Sequence, residues 1–135
     1  MNNNKFRRVS SVFLCIVFML SLVACSGGTY SAMNATANDT DSNMAMIYDQ
    51  FDGYKYTSME FKKGEVLDID IEVTTESGEL EVYMSSDKDM RMFSYINPDQ
   101  PINLQVEFPE DGTYRIFVSG KHSGSYNISW NKLSN

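Results

Sequence analysis

The side chain with the clearest chemistry in this sequence is the thiol of Cys25, which follows a leucine, a valine and an alanine at residues 22–24. Ahead of it lie a basic N-terminal segment and an unbroken run of nine apolar residues, 12–20. A basic start, a short apolar run and a cleavage site of small residues together form a secretory signal. A transmembrane helix needs about 20 apolar residues, so this run is too short to span a bilayer. The sequence therefore predicts a signal peptide over residues 1–24.

Residues 22–25 resemble the lipobox of bacterial lipoproteins. In that family the chain is cut before the cysteine, and the cysteine sulfur carries a diacylglycerol group. The resemblance implies that Cys25 is the lipidated first residue of the mature protein. Two acyl chains are enough for stable membrane attachment. We therefore expect a protein that is lipid-anchored to the extracytoplasmic face of the cell membrane, with the membrane as one partner.

Charge and cysteine content restrict the function of the remaining chain. Removal of residues 1–24 would change the formal net charge from −7 to −10, because three basic residues and no acidic ones would be lost. An acidic surface repels phosphate backbones, so nucleic acid is not an expected partner. Of the two cysteines, Cys15 lies in the signal, so the folded part is expected to contain no disulfide and no cysteine-ligated metal.

The chain after the signal divides by composition into two parts. Residues 26–43 are rich in Ser, Gly, Ala, Asn and Thr and nearly lack large aliphatic side chains. Such a segment buries too little apolar surface to offset its ordering entropy. We therefore expect residues 25–43 to form the lipidated cysteine and a flexible linker, and residues 44–135 to form the folded domain.

Residues 66–73 show the strongest secondary-structure pattern, because aliphatic side chains alternate with carboxylates. This period of two is typical of a half-buried strand. The same alternation occurs in residues 80–84, 102–108, 114–119 and 126–130, and less regularly in 45–51, 54–61 and 90–96. Turn-forming residues separate these runs, among them Ser77-Gly78 and residues 119–124. About eight strands at this spacing predict an all-β, antiparallel, jelly-roll-like β-sandwich, with a closed barrel as the alternative.

Residues 110–118 (EDGTYRIFV) and 123–130 (SGSYNISW) resemble the two closing strands of bacterial pre-peptidase C-terminal domains. In those domains a Gly-Thr-Tyr and a Gly-Ser-Tyr opening each begin a strand. The resemblance implies a jelly-roll-like sandwich that accompanies secreted or surface proteins. It supplies no catalytic residues.

His122 is the only histidine, and it lies in the sequence Lys-His-Ser-Gly. A serine triad with Ser123 or Ser125 and a carboxylate is conceivable, but a triad needs buried and mutually oriented partners. We expect His122 to lie exposed in a hairpin loop, and we expect no enzyme activity.

Carboxylates on the predicted strands form the first candidate binding site. Asp68, Asp70 and Glu72 share one strand face, and Glu79 and Glu81 share one face of the next run. Direct pairing of these strands would place like charges opposite each other. Separate sheets, basic side chains from a third strand, or a bound cation would each avoid this. A plain solvated face is the favoured interpretation. The alternative is a calcium site, the one cofactor considered, with ligands from Asp68, Asp70, Glu72, Asp87 and Asp89.

Aromatic side chains form the second candidate site. Tyr54 and Tyr56 share a strand face, and Phe117 points away from the apolar positions of its own strand. Exposed rings can stack on sugar rings, although aromatic residues more often fill small cores. Core packing is therefore favoured, and Tyr54, Tyr56 and Phe117 are a possible glycan platform.

The predicted function is that of a non-catalytic, lipid-anchored module that binds an unidentified surface protein or glycan. Two alternatives remain. One is a carbohydrate-binding module for cell-wall or extracellular glycan. The other is an accessory or inhibitor of a surface protease.

Overall fold

The computed structural model describes residues 25–133, and the predicted signal peptide lies outside them. Seven antiparallel strands make up this part of the chain. Their bounds are β1 Cys25–Met33, β2 Thr36–Ala37, β3 Asn43–Phe61, β4 Val66–Ser86, β5 Arg91–Ile96, β6 Ile102–Glu107 and β7 Gly112–Leu133. Within residues 25–133 the chain contains no helix suited to crossing a bilayer.

Three long strands, β3, β7 and β4, lie side by side with β7 in the middle. The four shorter strands pair with β3 or with β4. Each long strand pairs with different neighbours along its two halves. We call one set of halves layer A; it contains β2, β6 and residues 43–48, 66–75 and 124–133. The other set is layer B; it contains β1, β5 and residues 51–61, 77–86 and 112–122. The long strands therefore pass from one layer of a sandwich into the other.

The strands turn between the layers at a corner. The pairing register shifts between Tyr48 and Phe51 of β3 and between Thr75 and Ser77 of β4. Bulges of this kind bend a strand and allow it to change layers. In β7 the corner is formed with Gly124, whose φ of 138° is a conformation that L-residues rarely adopt. A Cβ atom there would lie 1.9 Å from the carbonyl oxygen of Thr74, so only glycine fits.

The core lies between the two layers. Alternating side chains of both layers point inward, and those of β4 are almost completely buried at Leu67, Ile69, Ile71, Leu80, Val82 and Met84. The Thr57 hydroxyl of layer B donates a hydrogen bond to the sulfur of Met44 in layer A, at 3.7 Å. Phe61 at the end of β3 stacks on Phe108, with ring centroids 3.9 Å apart. At roughly 1.5–3 kcal/mol for each fully buried large side chain, this face-to-face packing drives the folding of the sheet onto itself.

The prediction of an all-β antiparallel sandwich is confirmed, and each of the eight predicted runs coincides with a strand segment to within one residue. The strand boundaries differ from the prediction, because Ser77-Gly78 lies inside β4 and residues 119–124 lie inside β7. The residue types of both segments predict breaks between strands instead. Small and glycine residues permit both a turn and a corner. Only the long-range pairing of β4 with β7 through this region distinguishes the two.

The prediction of a flexible linker is wrong for much of residues 25–43, because β1 pairs with β3 from Cys25 to Met33. Backbone hydrogen bonds to a neighbouring strand hold this segment, and composition does not reveal them. The loop after β2 is held by Asp39, which accepts from the Ala45 amide at 3.2 Å and forms an ion pair with Lys55. Lys55 is only 6% exposed, so this charge pair ties the N-terminal segment to the sandwich.

Candidate functional site

Four aromatic side chains gather on the outer face of layer B. Tyr54 and Tyr56 of β3 alternate with inward-facing Lys55 and Thr57. Phe117 of β7 lies directly between Tyr56 and Tyr83 of β4 in the sheet register. Directly paired residues project from the same face, so these rings are neighbours. We call Tyr54, Tyr56, Phe117 and Tyr83 the aromatic row.

The rings of the row cover one another to different extents. Phe117 and Tyr83 are stacked with centroids 4.7 Å apart and planes 6° from parallel. Phe117 also lies 5.3 Å from the Tyr56 ring. Tyr54 lies farther from its neighbours, at 6.5 Å from Tyr56 and 6.4 Å from Phe117. Tyr54 is 41% exposed while the other three are half-buried, so it presents the largest free ring surface.

The edge strand β1 leaves room for the row. Gly27 is paired with Tyr56, and a Cβ atom on Gly27 would lie 2.6 Å from the Tyr56 hydroxyl oxygen. The absence of a side chain on Gly27 therefore allows the Tyr56 ring to lie across β1. This extends the apolar face towards the edge of the layer.

Two arginines lie against rings of the row. The guanidinium of Arg91 is 4.3 Å from the centre of the Tyr83 ring and donates to Glu81 at 2.8 Å. The guanidinium of Arg115 is 5.1 Å from the centre of the Tyr56 ring. Burial raises the pKa of Tyr83, with Arg91 acting in the opposite direction, so the phenol is neutral at physiological pH. The site thus combines neutral rings with positive charge.

Core packing, the favoured interpretation of Tyr54, Tyr56 and Phe117, is wrong, because all three lie on the outer face of layer B. The structure brings the three rings together there. Tyr83 and the two arginines were missed as site residues. The alternation in residues 80–84 already places Tyr83 on the outer face. What was missing is the strand order, because only the pairing of β4 with β7 puts Tyr83 beside Phe117.

The acidic residues lie on the outer face of layer A. Asp68, Asp70 and Glu72 project outward from β4, and the side-chain amide of Asn103 donates to Asp68 at 3.1 Å and to Asp70 at 2.9 Å. A shallow groove of about 380 Å³ adjoins them, lined in part by Asn127. One neutral donor thus bridges Asp68 and Asp70.

Glu79 and Glu81 lie on the same strand as Asp68 but in layer B, so the carboxylates of the two runs do not face each other. Separate layers, the first of the three expected resolutions, account for the pattern. Asp87 and Asp89 lie in the turn that follows β4. Within residues 25–133 no three acidic, histidine or cysteine side chains come together as metal ligands, so the calcium prediction gains no support.

The prediction of an exposed His122 is wrong. His122 lies in β7 at the corner and is 2% exposed. Its Nδ1 is 2.6 Å from the Tyr48 hydroxyl, and its Nε2 is 2.8 Å from the Thr75 hydroxyl. Burial lowers the pKa of His122 and raises that of Tyr48. The Ser123 hydroxyl donates to the backbone carbonyl of Asp49 at 2.6 Å, so the serine and histidine do not pair.

Cys25 is exposed at the start of β1, on the edge of layer B. It is paired with Ser58, and Ser58 is paired on its other side with Arg115. Cys25 is therefore close to the aromatic row, with no free segment between it and the sheet.

No protein-family model matches the sequence, so the resemblance to pre-peptidase C-terminal domains stays a prediction from short motifs. No curated protein matches it either.

Among solved structures, the fold is similar to β-sandwiches of carbohydrate-binding modules. One is a family 4 module, with 11% identity, 80% of this chain and 79% of that chain covered, and a TM-score of 0.49. A family 27 module described for specific mannan recognition has 12% identity, coverage of 80% and 86%, and a TM-score of 0.44. The C-terminal family 6 module of a marine laminarinase from Zobellia galactanivorans has 8% identity, coverage of 78% and 98%, and a TM-score of 0.41.

Proposed function

We propose that this protein is a non-catalytic glycan-binding module and that the aromatic row is its sugar-binding surface. The observation that carries the proposal is the set of four outward rings on three adjacent strands of one face. The C–H groups on one side of a sugar ring form an apolar surface that packs on an aromatic ring. A rigid sheet holds such rings in place before binding, which lowers the entropic cost of association.

The chemistry of the row fits binding better than cleavage. Glycoside hydrolysis uses two carboxyl groups about 5–9.5 Å apart on either side of the scissile bond. Glu81, one carboxylate beside the row, forms an ion pair with Arg91 at 2.8 Å. Asp52, on the same face of β3 as Tyr54, lies 3.8 Å from the amine of Lys121. The row therefore offers stacking surface, and Arg115 adds a positive charge that no carboxylate of residues 25–133 pairs. A role as accessory or inhibitor of a surface protease has no specific contact in its favour.

We also propose that Cys25 is lipidated and that the protein is anchored on the extracytoplasmic face of the membrane. The sequence of residues 22–25 and the exposed position of Cys25 support this. Because β1 begins at Cys25, an acyl chain there would hold the edge of layer B close to the lipid headgroups. Labelled palmitate should enter the natural protein and not Cys25→Ala, and equal labelling would contradict the anchor.

Glycan binding is tested most simply without the lipid. All seven strands lie within residues 25–133, so the chain from residue 25 with Cys25→Ser is the unit to use. Affinity electrophoresis would measure its retardation by peptidoglycan, β-1,3-glucan, mannan, xylan and uronic-acid polymers. We expect at least one to bind and Tyr54→Ala to weaken that binding about tenfold, equivalent to about 1.4 kcal/mol.

Tyr30→Ala is the matched control. Tyr30 is 42% exposed, like Tyr54, but stacks on Phe51 outside the row. Its replacement should change affinity less than about twofold, which is under about 0.5 kcal/mol. Equal losses in both variants, or no retardation by any of the glycans, would contradict the proposed function.

A further inference from the structure

We propose that the glycan bound by the aromatic row is acidic, and that Arg115 binds the carboxylate of a uronic acid. This inference rests on the proposed function and names the class of sugar. It follows from the surroundings of the two arginines on the outer face of layer B.

Arg115 has no counter-charge from the described chain. It projects from β7 between Ser58 and Ser85, its two partners in the sheet register. Within residues 25–133, its guanidinium has no carboxylate within the 4.0 Å of an ion pair. Its Nε atom is buried and has no hydrogen-bond partner. Buried donors in folded proteins are nearly always bonded, so the Nε–H of Arg115 lacks the acceptor that such a donor normally has.

Arg91 provides the comparison on the same face. Ser85 is paired with Arg91 on one side and with Arg115 on the other, so the two arginines lie at the same level of the sheet, on the two strands that neighbour β4. Arg91 lies over Tyr83 and donates to Glu81 at 2.8 Å. Arg115 lies over Tyr56 in the same way, but no carboxylate completes the arrangement. A carboxylate from a ligand would complete it.

The position of Arg115 beside the stacking rings points to a carboxylate carried by the sugar itself. Tyr54, the most exposed ring, is two residues from Tyr56 along β3, roughly 6.6 Å at 3.3 Å per residue. This spacing is comparable with one sugar unit. A uronic acid bears its carboxylate directly on the ring, so a chain stacked along Tyr54 and Tyr56 brings that group to Arg115. The planar guanidinium binds a carboxylate through two parallel hydrogen bonds.

The test compares acidic polymers with their own neutral forms. Polygalacturonate, alginate and hyaluronate would each be used with a preparation whose carboxyl groups have been reduced to alcohols. The protein is the chain from residue 25 with Cys25→Ser. We expect at least one uronate polymer to bind tenfold or more tightly than its reduced form, and Arg115→Gln to abolish that preference.

Lys121→Gln is the matched control, because Lys121 lies on the same strand and face and its amine is 3.8 Å from Asp52. It removes one positive charge without touching Tyr56, and the preference should persist in it. Loss of the preference in both variants would show a general charge effect and overturn the role of Arg115.

Two outcomes separate this inference from the proposed function. Binding of neutral glycans with no preference for any uronate would overturn the acidic ligand and leave the glycan-binding function standing. Preference for dextran sulfate over all three uronates would also overturn it. Absence of binding to every acidic and neutral polymer would contradict both.

Discussion

The outer faces of the two layers differ sharply, although the same three strands run through both. On layer A the outward positions of β4 are Asp68, Asp70 and Glu72, and Asn103 shares its amide between the first two. On layer B the central outward positions are Tyr56, Phe117 and Tyr83, with two arginines against the rings. The outer face of layer A carries carboxylates and an amide, and the centre of the outer face of layer B carries aromatic rings with arginines against them.

This difference shows that the sheet itself specifies no ligand. Backbone pairing sets the spacing of side chains on both faces in the same way, so recognition depends on which residues fill the outward positions. The corner is what makes the faces separate surfaces, since it turns one continuous sheet into two layers. Substitutions at the corner or on either face therefore test the difference between the two faces.

The largest effect is expected at the corner. Gly124→Ala should lower the free energy of unfolding by more than about 3 kcal/mol, because strain from φ adds to a steric clash with Thr74. Gly64→Ala is the control, since Gly64 also has positive φ but a Cβ there meets no atom within 4 Å. It should cost about 1 kcal/mol. Urea unfolding followed by the fluorescence of the single tryptophan, Trp130, measures both, and similar losses would contradict the corner geometry.

Substitutions in the aromatic row should weaken glycan binding strongly, and substitutions on the acidic face of layer A should change it little. Tyr54→Ala with Tyr56→Ala should weaken glycan binding more than about 30-fold, or about 2 kcal/mol. Asp68→Asn with Asp70→Asn should change it less than about twofold. Isothermal titration with the best glycan of the panel measures both. A greater loss of affinity in the double aspartate variant would contradict the account and indicate a binding site on layer A.

The pH dependence of stability reports on the corner between the faces. Burial lowers the pKa of His122 below 6.5, so the unfolded chain binds the proton more readily than the folded chain. The contribution of His122 is thus complete above about pH 6.5 and is lost below it, until pH reaches the folded-state pKa, with a slope of at most about 1.4 kcal/mol per pH unit.

Denaturation between pH 7.5 and 5.5, compared with His122→Gln, isolates this contribution from that of the carboxylates. The difference between the two proteins should shrink as pH falls. Because the chain has one histidine, the NMR titration of its imidazole identifies the folded pKa directly. A value above 6.5 would contradict the buried position.

The smallest effect is expected on the acidic face. Asn103→Ala should lower stability by about 0.5–1 kcal/mol at low salt, because Asp68 and Asp70 lose their shared donor. Added salt should reduce the loss by screening the two carboxylates. An unchanged stability at low salt would show that the amide contributes nothing there.

Much of the fold is visible in the sequence, because alternation along each strand needs only local information. Alternation places the acidic residues outward and puts Tyr54 and Tyr56 on one strand face. It does not decide whether that aromatic face is buried, and core packing, the favoured interpretation of these rings, is wrong. The burial of His122 was not predicted, since its partners Tyr48 and Thr75 come from distant strands. Composition also fails to predict that residues 25–33 form a strand. The backbone hydrogen bonds between β1 and β3 hold this segment, and composition does not encode them.

The central claim is that sugars bind to the aromatic row of layer B. NMR chemical-shift mapping of the isotope-labelled chain from residue 25, titrated with the best glycan of the panel, tests it most directly. We predict that the largest changes fall on Tyr54, Tyr56 and Phe117 and that Asp68, Asp70 and Glu72 of layer A remain unaffected. Changes centred on Asp70 and Asn103 in layer A, with none on the row, would contradict the account.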